Sequence, residues 1–287
     1  MAEHPRLLLD GLAFGEGPRW YDERLYFSDI GAREVRSVDL AGHSEHIVRV
    51  PFRPSGLGWL PDGRLLVVSM TDHRLLRLDP TGLVAVADLS PYCGGHANDM
   101  VVDAAGRAYI GNMGFDLEAE PMEVRPTGLL RVDPDGTVRV VAQELIAPNG
   151  MVITPDGATL IVGESGGARL TAFDIAADGS LSNRRSYAGL EGGAVPDGIC
   201  LDVQGGVWVA SPTTFEFLRV LEGGGVSDRI PAGEPAGKRK AIACMLGGPQ
   251  RRSLFLISSV TMIEGAEEAR TSRIDVVEVD IPGAGRP

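Results

Sequence analysis

A short pattern recurs six times along this 287-residue chain, and recurrence at that interval restricts the fold more than any other property of the sequence. Each copy opens on a small or polar residue before glycine or a similar residue. It runs through an apolar stretch, turns, and returns as a strongly apolar segment. The copies begin at Glu16-Gly17-Pro18-Arg19-Trp20, Ser55-Gly56-Leu57-Gly58-Trp59 and Asn98-Asp99-Met100-Val101-Val102. They continue at Asn149-Gly150-Met151-Val152-Ile153, Asp197-Gly198-Ile199-Cys200-Leu201 and Cys244-Met245-Leu246-Gly247-Gly248. Successive copies lie 39, 43, 51, 48 and 47 residues apart, close to the length of a four-stranded propeller blade.

Within a copy the apolar period is two rather than 3.6, which excludes a helical solenoid. Pro61-Asp62-Gly63 leads into Leu65–Val68, and Pro155-Asp156-Gly157 leads into Leu160–Val162. Asp-Gly supplies the positive φ that tight hairpin turns demand. Third strands follow at Leu75–Pro80, Leu129–Pro134 and Leu170–Asp174. The 38 glycines and 19 prolines, about a fifth of the chain, suit a fold made of many turns. The expectation is an all-β, six-bladed β-propeller, a single domain over residues 1–287; a β-sandwich of regular hairpins is the competing architecture. The sixth copy is degenerate, with strands near Ser253–Ser258 and Ser272–Asp280. An N-terminal strand, Arg6–Leu9, would complete it and close the ring.

The charge balance, 27 Lys and Arg against 39 Asp and Glu, disfavours a nucleic-acid partner, which needs a positive surface to displace phosphate counterions. No apolar run approaches the roughly 18 residues that span a bilayer, so no membrane partner is expected. Met1–Arg6 lacks a basic region followed by an apolar one, and the three cysteines are odd in number and far apart. Both features lead to the expectation of a cytoplasmic protein without disulfides.

In a propeller the innermost strands line a central channel, so equivalent positions of all blades face one another. The lead positions are Glu16, Ser55, Asn98, Asn149, Asp197 and Cys244. Two carboxylates and two carboxamides among them form a set of hard oxygen donors, matched to Ca²⁺, Mg²⁺ or Mn²⁺ better than to a soft metal. The plainer account is that Asn, Asp and Ser before Gly are turn residues. It does not extend to Glu16, because Glu is not a preferred turn former.

With Gly15-Glu16-Gly17-Pro18, Asn98-Asp99, Pro148-Asn149-Gly150-Met151 and Pro196-Asp197-Gly198 in order at blade spacing, the sequence resembles the SMP-30/gluconolactonase/luciferin-regenerating family of calcium- or zinc-dependent six-bladed propellers. The likeness covers nearly the whole chain and weakens after about Ser211. It implies that Glu16, Asn149 and Asp197 bind one divalent cation, Ca²⁺ first, with Zn²⁺, Mg²⁺ or Mn²⁺ as alternatives. It further implies that Asp197 doubles as the catalytic base and that Asn98 is a substrate contact or a fourth ligand. The chain departs from the family at His96, where lactonases acting on sugar acids often carry Arg. Loss of that guanidinium fork leaves substrate preference open, and His96 is either a substrate donor or a satisfied loop histidine.

The function implied is hydrolysis of a small-molecule lactone, the cation polarising the carbonyl while Asp197 takes a proton from water. A phosphotriester hydrolase on the same ion is one alternative, and a non-catalytic calcium- or ligand-binding propeller is another. A strictosidine-synthase-like propeller would use a channel glutamate without metal. Gly163-Glu164-Ser165-Gly166-Gly167 matches the G-x-S-x-G nucleophile pattern. It lies between two strands, however, and all five histidines precede Ser165, so the hydrolase order Ser, Asp, His cannot be met. Cys244 is a thiol ligand or an apolar lining residue, and Cys93 is expected to be inert. The stretch Asn112–Pro126, with Phe115, Pro121 and Met122, is expected to form a lid. The loop Pro231–Lys240, with Lys238-Arg239-Lys240, is expected to be a solvated surface.

Overall fold

The structure, a computed structural model, describes residues 4–116, 119, 123–233 and 238–284. Among these residues twenty-four strands form six four-stranded antiparallel sheets, the blades of a β-propeller. Blade 1 runs Gly15–Tyr21, Arg24–Asp29, Glu34–Val38, Ser44–Arg49, and blade 2 runs Pro54–Trp59, Leu65–Ser69, Arg74–Asp79, Gly82–Asp88. Blade 3 comprises Ala97–Val102, Ala108–Asn112, Thr127–Val132 and Val138–Leu145; blade 4, Pro148–Ile153, Thr159–Glu164, Arg169–Ile175 and Leu181–Gly189. Blade 5 comprises Ile199–Leu201, Val207–Ser211, Glu216–Val220 and Val226–Pro231. In blade 6 the strands Lys240–Gly247, Ser253–Ser259 and Ser272–Glu278 are completed by the N-terminal strand Arg6–Leu12.

That last pairing closes the ring, with Arg6 opposite Val276 and Leu12 opposite Ser272. The strand is longer than the sequence pattern indicated, reaching Leu12 rather than Leu9. The first strand of each blade packs on those of its two neighbours, and blade 6 meets blade 1. No helix among the described residues is long and apolar enough to cross a membrane.

Alternating apolar side chains fill the spaces between blades. Phe27, Phe217, Phe255 and Leu25 are fully enclosed in the layer joining blades 5, 6 and 1. Aromatic pairs tie blade to blade: Trp20 stacks on Phe255 with ring centroids 5.4 Å apart, and Tyr21 stacks on Trp59 at 4.4 Å. Such pairs add about 0.5–1.5 kcal/mol beyond the area they bury.

Register corrects the sixth lead position. In blades 1 to 4 the first strand opens on a residue paired with the end of the second strand, and a one-residue slip follows. In blade 6 the same slip lies between Ala241 and Ala243, so Ile242, not Cys244, is the equivalent residue. Cys244 sits two residues deeper, buried, with its sulfur 3.8 Å from that of Cys200. It therefore does not join the donor ring. The Lys238–Lys240 cluster is also not wholly solvated: Arg239 is half-buried and donates to the carbonyls of Ser258 and Thr271.

Candidate active site

The slip that opens each inner strand aims its lead side chain. One extra residue unpaired at that point rotates the chain locally, as β-bulges do, and swings the lead residue toward the channel. Glu16, Ser55, Asn98 and Asn149 each fall at such a slip. Asp197 stands just ahead of the short strand Ile199–Leu201, fixed by its N–H to Ala210 O at 2.9 Å. Glycine follows because neighbouring strands approach there at backbone distance. A Cβ on Gly150 would lie 2.5 Å from Ile199 N, and one on Gly17, whose φ is +54°, 2.7 Å from Ser55 O.

Residues distant in sequence consequently meet at one end of the channel, its mouth. Asn149 Nδ2 donates to Asp197 Oδ1 at 2.6 Å and to Ser165 Oγ at 3.3 Å. Glu16 lies close enough to Asp197 for each to perturb the other's protonation. Ser55 Oγ donates to Asn98 Oδ1 at 3.2 Å, and the Asn98 amide nitrogen, buried, has no hydrogen-bond partner among the described residues. Below them Asp99 accepts from Arg19 Nη2 at 2.9 Å in a buried ion pair.

Burial raises the pKa of Glu16 well above the carboxylate range, and the charges of Asp197 and Asp99 push it the same way. Burial likewise lifts Asp197 from 3.8 to about 7, the hydrogen bond from Asn149 offsetting only part. Asp99 is raised by burial and held back by Arg19. When ionised, the three carboxylates oppose one guanidinium and leave two negative charges at the mouth. A dication is the counter-charge such a set fits, and Glu16, Asn149 and Asp197 offer it oxygen atoms of the hard type. Asp99 is turned into Arg19, so only two carboxylates remain for an ion; among the described residues no three His, Cys, Asp or Glu side chains are grouped to hold one.

A void of about 20 Å³, room for about one water, is lined by Arg19, Met151, Cys200 and Met245. A groove of about 600 Å³ between blades 5 and 6, lined by Trp208, Arg219 and Arg252, contains none of the lead residues.

Of the residues singled out from sequence, Glu16, Asn149 and Asp197 are brought together, with Ser55 and Asn98 beside them. His96 lies on the segment entering the first strand of blade 3, half-buried, its carbonyl accepting from Met113 N. In the expected lid, Asn112 and Phe115 are buried, while Pro121 and Met122 lie outside the described residues, as does Pro235 of the later loop. Around Ser165 the chain runs strand, single turn Ser165–Gly167, strand, as the pattern required of a non-nucleophile. Burial drives the Cys93 thiol up to about 12, in keeping with an inert residue. Arg19 escaped the sequence reading; the only hint was a second charged residue in the inner strand that carries Glu16.

A family model described as the SMP-30/Gluconolactonase/LRE-like region matches residues 14–260. The chain is 26% identical over 239 residues to a gluconolactonase of Zymomonas mobilis, covering 72% of this chain and 67% of that protein. It is 27% identical over 292 residues to the pentonolactonase XacC of Haloferax volcanii, covering 95% and 92%. Among solved structures it matches a calcium-binding protein, regucalcin, from Agrobacterium tumefaciens, with a TM-score of 0.80 at 21% identity over 100% of this chain and 97% of that one. At that identity the match speaks for the fold alone.

Proposed function

The chain belongs to the SMP-30/gluconolactonase/LRE-like family, and from that premise we propose that it is a lactonase dependent on one divalent cation, Ca²⁺ in the first place. The observation that carries the reading is the meeting of Glu16, Asn149 and Asp197 from blades 1, 4 and 5 in a desolvated mouth, where burial and neighbouring carboxylates raise both carboxyls. Relatives bearing lactonase names support the reaction class, and the hard oxygen donors support the metal class.

Glu16 and Asp197 would hold the ion with carboxylate oxygens, and Asn149 with its Oδ1, which accepts no hydrogen bond among the described residues. When bound, the ion supplies Lewis-acid polarisation of an ester carbonyl and lowers the pKa of nearby water. Asp197 keeps partial exposure at the mouth, where its second oxygen can take a proton from water. Water oxygen adds to the lactone carbonyl carbon, the ring C–O bond breaks, and the proton passes to the departing alkoxide. A hydroxy acid results. Asn98 is read as a substrate contact rather than a ligand, because its oxygen already accepts from Ser55 while its amide nitrogen has no partner among the described residues.

The test is a panel of aldono- and alkyl lactones followed by proton release, before and after EDTA treatment and with CaCl₂, MnCl₂ or ZnCl₂ added back. Turnover that disappears on chelation and returns with a cation is expected. Activity on no lactone, or activity indifferent to EDTA, would falsify the proposal.

A further inference from the structure

We propose that Ser165 is a positioning residue of this site, its hydroxyl fixing the Asn149 carboxamide so that the carbonyl oxygen, not the amino group, faces the channel. The inference rests on the reading of Asn149 as a ligand given above. A serine hydroxyl carries one hydrogen and two lone pairs. Ser165 Oγ gives its hydrogen to the Pro196 carbonyl at 2.6 Å, so toward Asn149 it can only accept. The amide answers with Nδ2 at 3.3 Å, and the other Nδ2 hydrogen goes to Asp197 Oδ1 at 2.6 Å. With both amide hydrogens committed, what Asn149 presents elsewhere is Oδ1, an oxygen of the type a hard cation takes.

The hydroxyl is held from behind. Ser165 N donates to Ala147 O, beginning the turn Ser165–Gly167. Glu164, fully buried, is pinned by Arg169, Arg184, the Thr171 hydroxyl and Ile146 N. Supporting contacts of this kind orient the groups that touch a metal and set much of its affinity. The same contacts account for the G-x-S-x-G lookalike. Its serine spends its proton on an amide carbonyl, which is no general base, and bridges blade 4 to blade 5 beside Asp197.

The experiment is calorimetric titration of EDTA-stripped full-length protein with CaCl₂, for the wild type, Ser165→Ala and Ser165→Thr, alongside urea unfolding of each metal-free protein. Loss of the hydrogen bond that orients Asn149 predicts about three- to tenfold weaker Ca²⁺ binding in Ser165→Ala. Ser165→Thr, which keeps the hydroxyl, should bind within about twofold of the wild type and share its metal-free unfolding midpoint, whereas that of Ser165→Ala should fall modestly because the Pro196 carbonyl loses its donor. Equal affinity in Ser165→Ala and wild type overturns the role of Ser165 while leaving the lactonase reading intact. So does equal weakening in both variants, which marks a general packing effect. A wild type that takes up no Ca²⁺ but hydrolyses lactones overturns the ligand reading and this inference together.

Discussion

Stripping the protein of divalent ions and raising the pH should loosen its fold through one carboxyl in particular. Asp197 is lifted by burial from 3.8 to about 7. An acid held above its unfolded value keeps its proton more tightly in the folded chain. Its stabilising contribution is therefore complete below about pH 4 and is lost as pH climbs through 7. At about 1.4 kcal/mol per pH unit the whole interval is worth about 4 kcal/mol. About 3 kcal/mol of that falls between pH 5 and 8. Urea unfolding in EDTA across that range, for wild type and Asp197→Asn, isolates the group, since exposed carboxylates such as Asp62 and Asp156 are common to both. Wild type should weaken relative to the variant as pH rises. CaCl₂ should stabilise wild type more at pH 8 than at pH 5, because ion and proton compete for the same oxygens. A wild-type minus variant difference that stays flat from pH 5 to 8 would refute the reasoning, and a difference that grows in the opposite sense would reverse it.

Two further outcomes are expected. Gly150→Ala sets a Cβ 2.5 Å from Ile199 N and 2.6 Å from Asp197 O, both backbone atoms of the next blade; it should cost about 1–3 kcal/mol in urea unfolding and lower lactone turnover more than KM. Removing residues 1–12 bares the edge of Ser272–Glu278; the truncated chain should lose its single cooperative unfolding transition and self-associate on size-exclusion chromatography.

Much of this architecture is legible in the sequence because it repeats. Four of the six lead residues follow from the polar-Gly pattern and Asn98, before Asp99, from the interval; the glycines have a steric origin in the approach of inner strands. The sixth fails for the same reason. Where blade 5 places Gly198 against Ala243, the smallness needed on the facing strand is met by alanine, so blade 6 carries no Gly signature and interval counting lands on Cys244 instead of Ile242. Arg19 and Asp99 are 80 residues apart, and Ser165 lies 31 from Pro196. Those contacts cross blade boundaries at angles that no spacing encodes. Arg239 was misread because a basic triplet looks the same on paper whether its carbons lie on the surface or, as here, beneath two carbonyls.

The buried Arg19–Asp99 pair joins blade 1 to blade 3 at the residue that follows Asn98. Removing either partner would strand the other charge away from water, so a substitution at Arg19 would reach Asn98 through its chain neighbour without touching the donor ring itself.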